Sequence, residues 1–346
     1  MVVVSAPGKL ILMGEHGAVY GLPALTAAVG LRVRAQLDAG AKQGVELDLP
    51  DLGLEARSSW RELREQAKRA ESRWRDYRQG APFTSEDDPA TVVRLALGEV
   101  AGELASAALP PLRLRVRSEL PVGAGFGSSA AVAVAVIAGV LAWSGAEADL
   151  RRVERLALDV ERRQHGRPSG IDHGTVLRGG VQWASREAGG DLRLRLVAAR
   201  RDLLDGFRVF DSGSPAESTG DVVAAVAERR RADPETFDGV LERMRVTTVG
   251  FRAALESGDG AAVAPAVRAF ERCLEEIGVV PAPIRQAVRR LERSGGAAKV
   301  SGAGALSGAG AGCLLVWPGS PPAPEPSGWR SLDCAMGGPG LRLEAA

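Results

Sequence analysis

Asparagine is absent from the 346 residues, and four lysines (Lys9, Lys42, Lys68, Lys299) stand against forty arginines. Codon bias in a GC-rich genome explains both depletions. Heat adaptation also fits the missing Asn, but scarce Lys runs against the usual hyperthermophile pattern. Where Lys is rare, a Lys inside a motif is less readily incidental, and Lys9 and Lys299 both sit in motifs. Cysteine is thin as well: Cys273, Cys313 and Cys334 are far apart, odd in number and without ligand spacing. That argues against a disulfide framework or a zinc site and for a reducing compartment. A net charge of +1 gives no strong pull toward nucleic acid or a membrane surface. The apolar run Ala130–Trp143 is too short to span a bilayer. No charged n-region followed by a long apolar h-region opens the chain, so no signal peptide is expected and the expected location is cytoplasmic. No G-x-x-x-x-G-K-[ST] occurs anywhere, which excludes a Walker-type phosphate site.

Hydrophobic residues make up 45% and charged residues 25%, ordinary values for a globular chain long enough for two domains with real cores. Its most informative stretch is Pro121-Val-Gly-Ala-Gly-Phe-Gly-Ser-Ser-Ala-Ala131. A charged extended segment, Arg113 to Glu119, runs into glycines 123, 125 and 127, and an apolar helix is expected from Ala130 to Trp143. Strand, glycine loop and helix is an arrangement that holds phosphates. Glycines let the backbone approach the anion, and the free N–H groups and positive end of the helix bind it. A tight turn capped by Ser128 is the alternative. Leu112–Arg117 alternates apolar and charged residues, as a half-exposed strand of an antiparallel or mixed sheet does. A dinucleotide fold places a fully buried parallel strand there, so that class is set aside.

Elsewhere, short strands are expected at 2–6 and 9–13 around a turn at Ala6-Pro7-Gly8, and another at Ala27–Leu37. Residues 57–79 form a charged helix whose Trp60, Trp74 and Tyr77 pack on something: a solvated insert, or a lid over a ligand. Pro89–Ala107 and Asp149–Arg163 are helical, the second with Leu150, Val153, Leu156, Ala157 and Val160 on one face. Strands at 192–198 and 206–211 lead to a helical region, 217–293, divided near Pro234, 258–260 and 281–283. A Gly-rich stretch, 295–312, precedes a strand at 313–317, and Ser320–Ser327 is a Pro-rich linker. The polar stretch Ser185–Asp191 marks the domain boundary.

Four segments belong together: Ala6–Gly21 with its Gly14-Glu15-His16-x-x-Val19-Tyr20-Gly21, the glycine loop, Glu161–Asp172 with its Pro168-Ser169-Gly170-Ile171-Asp172, and Lys299–Gly304 with its continuation to Cys313. The set resembles the GHMP kinase superfamily, and within it the mevalonate kinase family, in the family's order over nearly the whole chain. The resemblance implies an α+β fold: an N-terminal ribosomal-protein-S5-like α/β domain, 1–190, that binds ATP, and a C-terminal ferredoxin-like α+β domain, 191–346. It implies ATP-dependent phosphorylation of the primary hydroxyl of mevalonate, with Mg²⁺, and it allows a homodimer.

Such a reaction needs a phosphate cradle, a metal and a cation on the acceptor oxygen. By resemblance, Asp172 faces the acceptor hydroxyl as base or orienter, and Lys9 lies beside it. Pro168 and Gly170 break the preceding helix, and Ser169 can cap a new one with Asp172 in its first turn. Glu161 stands at the family's spacing for the Mg²⁺ carboxylate, joined by Ser128 or Ser129. Pro121, Gly123, Ala124, Gly125, Phe126, Gly127, Ser128, Ser129 and Ala130 form the ATP loop. Glu15, His16, Ser169, Gly170, Thr219 and Gly302 line the substrate pocket. Two features depart from the family: His173 follows Asp172 where Asn is common, and the last glycine motif is long, so either Lys299–Gly304 or Ser307–Cys313 fills the usual loop position. Alternatives are a phosphomevalonate kinase or other GHMP kinase, a diphosphomevalonate decarboxylase-type lyase, and a nucleotide binder without turnover.

Overall fold

A computed structural model describes residues 1–84, 88–104, 109–121, 123–187, 190–319 and 325–344. Most of the Ser320–Ser327 linker, the end of the Pro89–Ala107 helix and two residues of the Ser185–Asp191 boundary lie outside the described residues. The chain begins β1 (Val2–Met13), β2 (Ala24–Ala39), β3 (Val45–Leu49), β4 (Leu54–Ser58), α1 (Trp60–Arg78), α2 (Thr91–Glu103), β5 (Leu112–Ser118), α3 (Ser128–Trp143), α4 (Leu150–His165) and α5 (Ile171–Arg178). It continues β6 (Val181–Arg186), β7 (Leu192–Val197), α6 (Arg201–Asp205), β8 (Arg208–Asp211), α7 (Thr219–Ala232), α8 (Pro234–Ser257), α9 (Gly260–Glu276) and α10 (Ala282–Arg293). Last come β9 (Ala297–Ser301), β10 (Cys313–Trp317), β11 (Arg330–Leu332) and β12 (Arg342–Glu344). This is the α+β class expected from the sequence.

Two sheets organise the described residues. The first runs β12-β1-β2-β5-β3-β4, and β6 and β7 extend it from the near end of β2. β2 has sixteen residues, enough to pair with β6 through Ala24–Ala27 and with β5 through Val33–Ala39. β5 lies antiparallel to β2 and parallel to β3, so the alternating segment does sit in a mixed sheet. Residues 192–197 and 342–344 belong to this sheet too. The second sheet, β11-β8-β10-β9, is antiparallel, with α9 and α10 packed on β9.

α3 lies between the first sheet and helices α2, α4 and α5. Its sequence, SSAAVAVAVIAGVLAW, has no charge and many small side chains, so it is buried on nearly every face. Three of the other helices show ordinary side-chain start signals. Asp149 and Asp259 accept N–H groups at the starts of α4 and α9, and Ser59 and Glu62 close a capping box on α1. No helix among the described residues is long and apolar enough to cross a membrane.

Three readings change. Residues 2–13 form one strand, not two around a turn: the chain stays extended through Pro7 and absorbs it with a slip of register between Pro7 and Lys9. β3 and β4 form a hairpin that composition did not mark, because Leu54–Ser58 is short and polar. β9 emerges from what read as a Gly-rich stretch, since Ala297–Ser301 is fully buried between β10 and the helices.

α1 touches α2 at its closest where Gly98 faces Leu63. A Cβ at Gly98 would lie 2.4 Å from the Leu63 carbonyl oxygen and 2.8 Å from Ala67 Cβ. Alanine gains up to about 1 kcal/mol of helix propensity over glycine. Overpacking against backbone costs about 1–3 kcal/mol, so the steric term wins. Gly98→Ala is expected to lower the urea midpoint of unfolding; an unchanged or raised midpoint would mean α1 is not held against α2.

Candidate active site

The site is built around the slip in β1. β12 pairs with β1 only over Val3–Ser5, which leaves the edge beyond free for another partner. At Lys9 the backbone N–H turns to the Phe126 carbonyl, at 2.8 Å. Irregularities of this kind re-aim a side chain next to a site. Lys9 is buried, and its Nζ lies 3.2 Å from Asp172 Oδ1 and 3.4 Å from the Gly125 carbonyl.

The glycine loop is pinned by two apolar side chains. Ala124 and Phe126 are buried, while the glycine before each, Gly123 and Gly125, is exposed. Pro121 precedes them half-buried, and Ala130 is buried in α3. Gly127 takes the N-cap position with φ 65°, and no side chain among the described residues caps the helix, so the alternative of a turn capped by Ser128 is not what forms. A Cβ at Gly127 would sit 2.9 Å from both Cγ and Cε of Lys9. Glycine is required there for its φ and to leave room for the lysine. The uncapped first turn of α3 presents free N–H groups and a positive dipole end, a ready anion site.

α4 and α5 bring two carboxylates to this place. Glu161 is buried near the end of α4 and accepts a hydrogen bond from His173 Nδ1 at 2.9 Å. Asp172 lies in the first turn of α5 and is about one-third exposed. Ser129 Oγ donates to Gln164 Oε1 at 2.6 Å. Gln164 stands three residues after Glu161, so Ser129 faces the Glu161 side of α4. Ser128 is half-buried at the helix start. The residue at the N-cap of α5 is Gly170, with φ 82°, not Ser169; Ser169 Oγ instead accepts the Ile171 N–H at 3.3 Å.

The last glycine stretch meets the loop at both ends. A Cβ at Gly125 would lie 3.3 Å from the Ser301 carbonyl, and a Cβ at Gly302 would lie 3.9 Å from Gly125 Cα. At the other end the Cys313 N–H donates to the Ala124 carbonyl at 3.2 Å. Both glycine repeats therefore touch the loop. The residues between them bulge toward Glu217, which accepts Leu306 N–H and Ser307 Oγ at 3.0 and 2.6 Å. His16, buried at φ 56°, reaches the Ala303 carbonyl with Nε2 at 2.9 Å, and burial holds its imidazole below the ordinary value. Glu15 is fully buried and pairs with Lys299. Thr219 is exposed as the first residue of α7, which Ser218 caps. Lys9, Asp172 and the glycine loop thus come together, with Glu161 and Ser129 beside them; Glu15 stays beneath the surface, and Thr219 stands at the exposed start of α7.

α1 supplies contacts that the sequence marked only as aromatic. Trp74 Nε1 donates to the Gly166 carbonyl at 2.8 Å. Tyr77 and Phe83 meet edge to face at 5.1 Å and close over Gly166, where a Cβ would be 2.8 Å from Tyr77 Cε1. Arg162 and Arg167 lie over Trp74 and Tyr77 at 5.7 and 5.6 Å. The turn between Glu161 and Asp172 is clamped by an aromatic cluster rather than left to solvent.

A helix start with free N–H groups beside a lysine–aspartate pair suits a kinase of the GHMP class, and residues 91–180 match the family of GHMP kinases N terminal domains. Over 313 residues the chain is 30% identical to the mevalonate kinase of Archaeoglobus fulgidus, covering 90% of this chain and 91% of that one. It is 29% identical to the human mevalonate kinase, over 100% of this chain and 96% of that one. The Methanococcus jannaschii mevalonate kinase structure shares its fold, with a TM-score of 0.78, 18% identity, and 96% and 98% of the two chains covered. The chain belongs to the mevalonate kinase family.

Beneath the site lie three buried ionisable side chains, of which the sequence motifs marked Lys299 and Glu15 but not Glu271. Lys299 is fully buried, pairs with Glu15, and lies 5.6 Å from the Phe270 ring centre. Burial pushes the Glu15 carboxyl up, and Lys299 pulls it back in part. Glu271 of α9 accepts the Val300 N–H at 3.0 Å, and its Oε1 is buried with no hydrogen-bond partner among the described residues. Burial raises this carboxyl to about 8, with Glu275 and Glu15 adding to the rise and the Val300 N–H and Lys299 opposing it. Lys299 carried two advance signals, its motif and its rarity, and Glu271 carried none. The folded chain therefore keeps a proton on Glu271 that the unfolded chain loses above its ordinary value of 4.5. Stability from this group is present below that pH and is lost as pH rises toward about 8. Glu271→Gln keeps the acceptor for Val300 and cannot ionise. Its melting temperature is expected to fall less than wild type between pH 5 and pH 8; parallel curves would refute a proton held on Glu271.

Proposed function

We propose that this chain transfers the γ-phosphoryl group of ATP to the primary hydroxyl of mevalonate. The observation that carries the reading is the buried Lys9 ammonium, 3.2 Å from Asp172 and 3.4 Å from the Gly125 carbonyl. One cation thereby spans the acceptor-side carboxylate and the loop that cradles phosphates. Asp172 accepts or orients the hydroxyl proton, and Lys9 stabilises the negative charge that grows on the acceptor oxygen. Gly123 to Ala130, following Pro121, hold the ATP phosphates on N–H groups at the start of α3.

Mg²⁺ fits the residues present. It takes one or two carboxylates, with substrate phosphates and water completing six oxygens, and Glu161 and Ser129 are hard oxygen donors on facing helices. When bound, the ion supplies neutralisation of phosphate charge. His16, Ser169, Gly170, Gly302 and Thr219 are assigned to the acceptor pocket, with Glu15 acting through the backbone it anchors. The domains proposed are 1–190 and 191–346, the second lending β7 and β12 to the first sheet. The proposal extends to a cytoplasmic location, in keeping with three free cysteines, and to a homodimer, which sedimentation of the purified chain would read.

A coupled ADP-release assay against mevalonate, its 5-phosphate, galactose and homoserine tests the acceptor. Mevalonate is expected to give the highest kcat/KM; a higher value for the 5-phosphate would overturn the assignment. Asp172→Asn keeps shape and is expected to lose ~10²–10⁴-fold in kcat, while ATP affinity and melting temperature change little. Near-wild-type kcat would remove Asp172 from the chemistry.

A further inference from the structure

We infer that His173 is a positioning residue for the metal carboxylate, holding Glu161 in the orientation that Mg²⁺–nucleotide binding requires. The inference rests on the assignment of Glu161 to Mg²⁺ and goes beyond it. Three observations carry it. His173 and Glu161 are both buried, with side-chain exposures of 3% and 6%, and Nδ1 is 2.9 Å from Oε2. An ionised carboxylate only accepts, so the ring carries its proton on Nδ1 and donates it. The histidine follows Asp172 directly in the first turn of α5. Adjacent helical side chains diverge by about 100°, so Asp172 meets Lys9 while His173 meets the end of α4. One helical turn thus grips both carboxylates of the site.

Rotation of Glu161 is the freedom that this bond removes. α4 ends four residues later, at His165, and the chain then turns through Gly166. A carboxylate near a helix end, with one oxygen tied, presents the other to a fixed place. Partners of this kind usually change metal affinity by about 10–100-fold when lost. Thr175 Oγ1, which bonds the Ile171 carbonyl at 2.8 Å and Thr26 Oγ1 at 2.7 Å, fixes the first turn of α5 independently of the histidine. A change at position 173 should therefore reach the metal through Glu161 before it reaches the fold.

The test is Mn²⁺ affinity in the presence of ADP, read by electron paramagnetic resonance, with melting temperature beside it. Asparagine places its amide N–H near the position of Nδ1; glutamine extends it one carbon too far. His173→Asn is expected within about 3-fold of wild type, and His173→Gln and His173→Leu weaker by about 10-fold or more. In the Glu161→Gln background, His173→Leu should add no further loss. If Glu161→Gln weakens Mn²⁺ but His173→Leu and His173→Gln do not, the positioning role is overturned and the metal assignment stands. Unchanged Mn²⁺ affinity in Glu161→Gln overturns both. If the leucine variant does not fold, equal affinities for the asparagine and glutamine variants overturn the inference.

Discussion

Lys9 is the point through which distant parts of the chain become one site. Its backbone holds the Phe126 carbonyl, its ammonium meets Asp172 and Gly125, and its aliphatic stem fills the space that Gly127 leaves. None of these contacts is close in sequence, so each depends on β1 reaching this position with its register slipped. A regular ladder would offer the Lys9 N–H to a neighbouring strand and leave the loop unanchored. The slip at Pro7, where the ring removes a donor anyway, is how a central strand accommodates an imino acid and serves the loop together.

A second constraint joins the C-terminal half to this point. Lys299 pairs with Glu15 in a place without solvent, and Ser301 Oγ bridges the Ile11 N–H and carbonyl at 3.1 and 3.0 Å. Breaking a buried ion pair by removing one partner commonly costs about 3–5 kcal/mol, because the remaining charge is stranded. That cost keeps β9 against β1, and with it the turn at Ser301–Ala303 that touches Gly125 and His16. The acidic partner of the pair, one of the residues expected to touch substrate, is itself fully buried.

Local chemistry made much of this legible in the sequence. The alternation in Leu112–Arg117, the uncharged small-residue helix after Gly127, and the prolines and glycines dividing the later helices each reflect forces acting within a few residues, and each matches the structure closely. That Lys9 lies beside Asp172 came from the family resemblance rather than local chemistry, and the 3.2 Å pair agrees with it. What could not be read depends on tertiary packing. The turn expected at Ala6–Gly8 is overruled by pairing with β2, which continues through Ala6 and Pro7. The helix cap expected at Ser169 moves to Gly170, where a side chain would meet Leu192 at 3.0 Å. Trp74 on Gly166, Glu271 on Val300 and His173 on Glu161 join segments whose proximity no periodicity encodes.

The scarcity of lysine has a structural counterpart. Lys42 and Lys68 are exposed, while Lys9 and Lys299 are buried at 4% and 0% exposure. In a chain so rich in arginine, the two buried positions are those where a guanidinium fits badly. Lys299 has one carboxylate oxygen and the Ile11 carbonyl to donate to, and Lys9 has one carboxylate and the Gly125 carbonyl. Arginine brings five N–H groups in a rigid fork and would leave several without acceptors. Arg32 shows the contrast: also buried, it donates to Ser5 Oγ and to the carbonyls of Ser5, Pro339 and Gly340. A site that offers four acceptors takes the fork, and a site that offers two takes the point charge. Compositional pressure toward arginine therefore stops where the acceptor count is too low, and one of those two stops is the cation between Asp172 and the glycine loop.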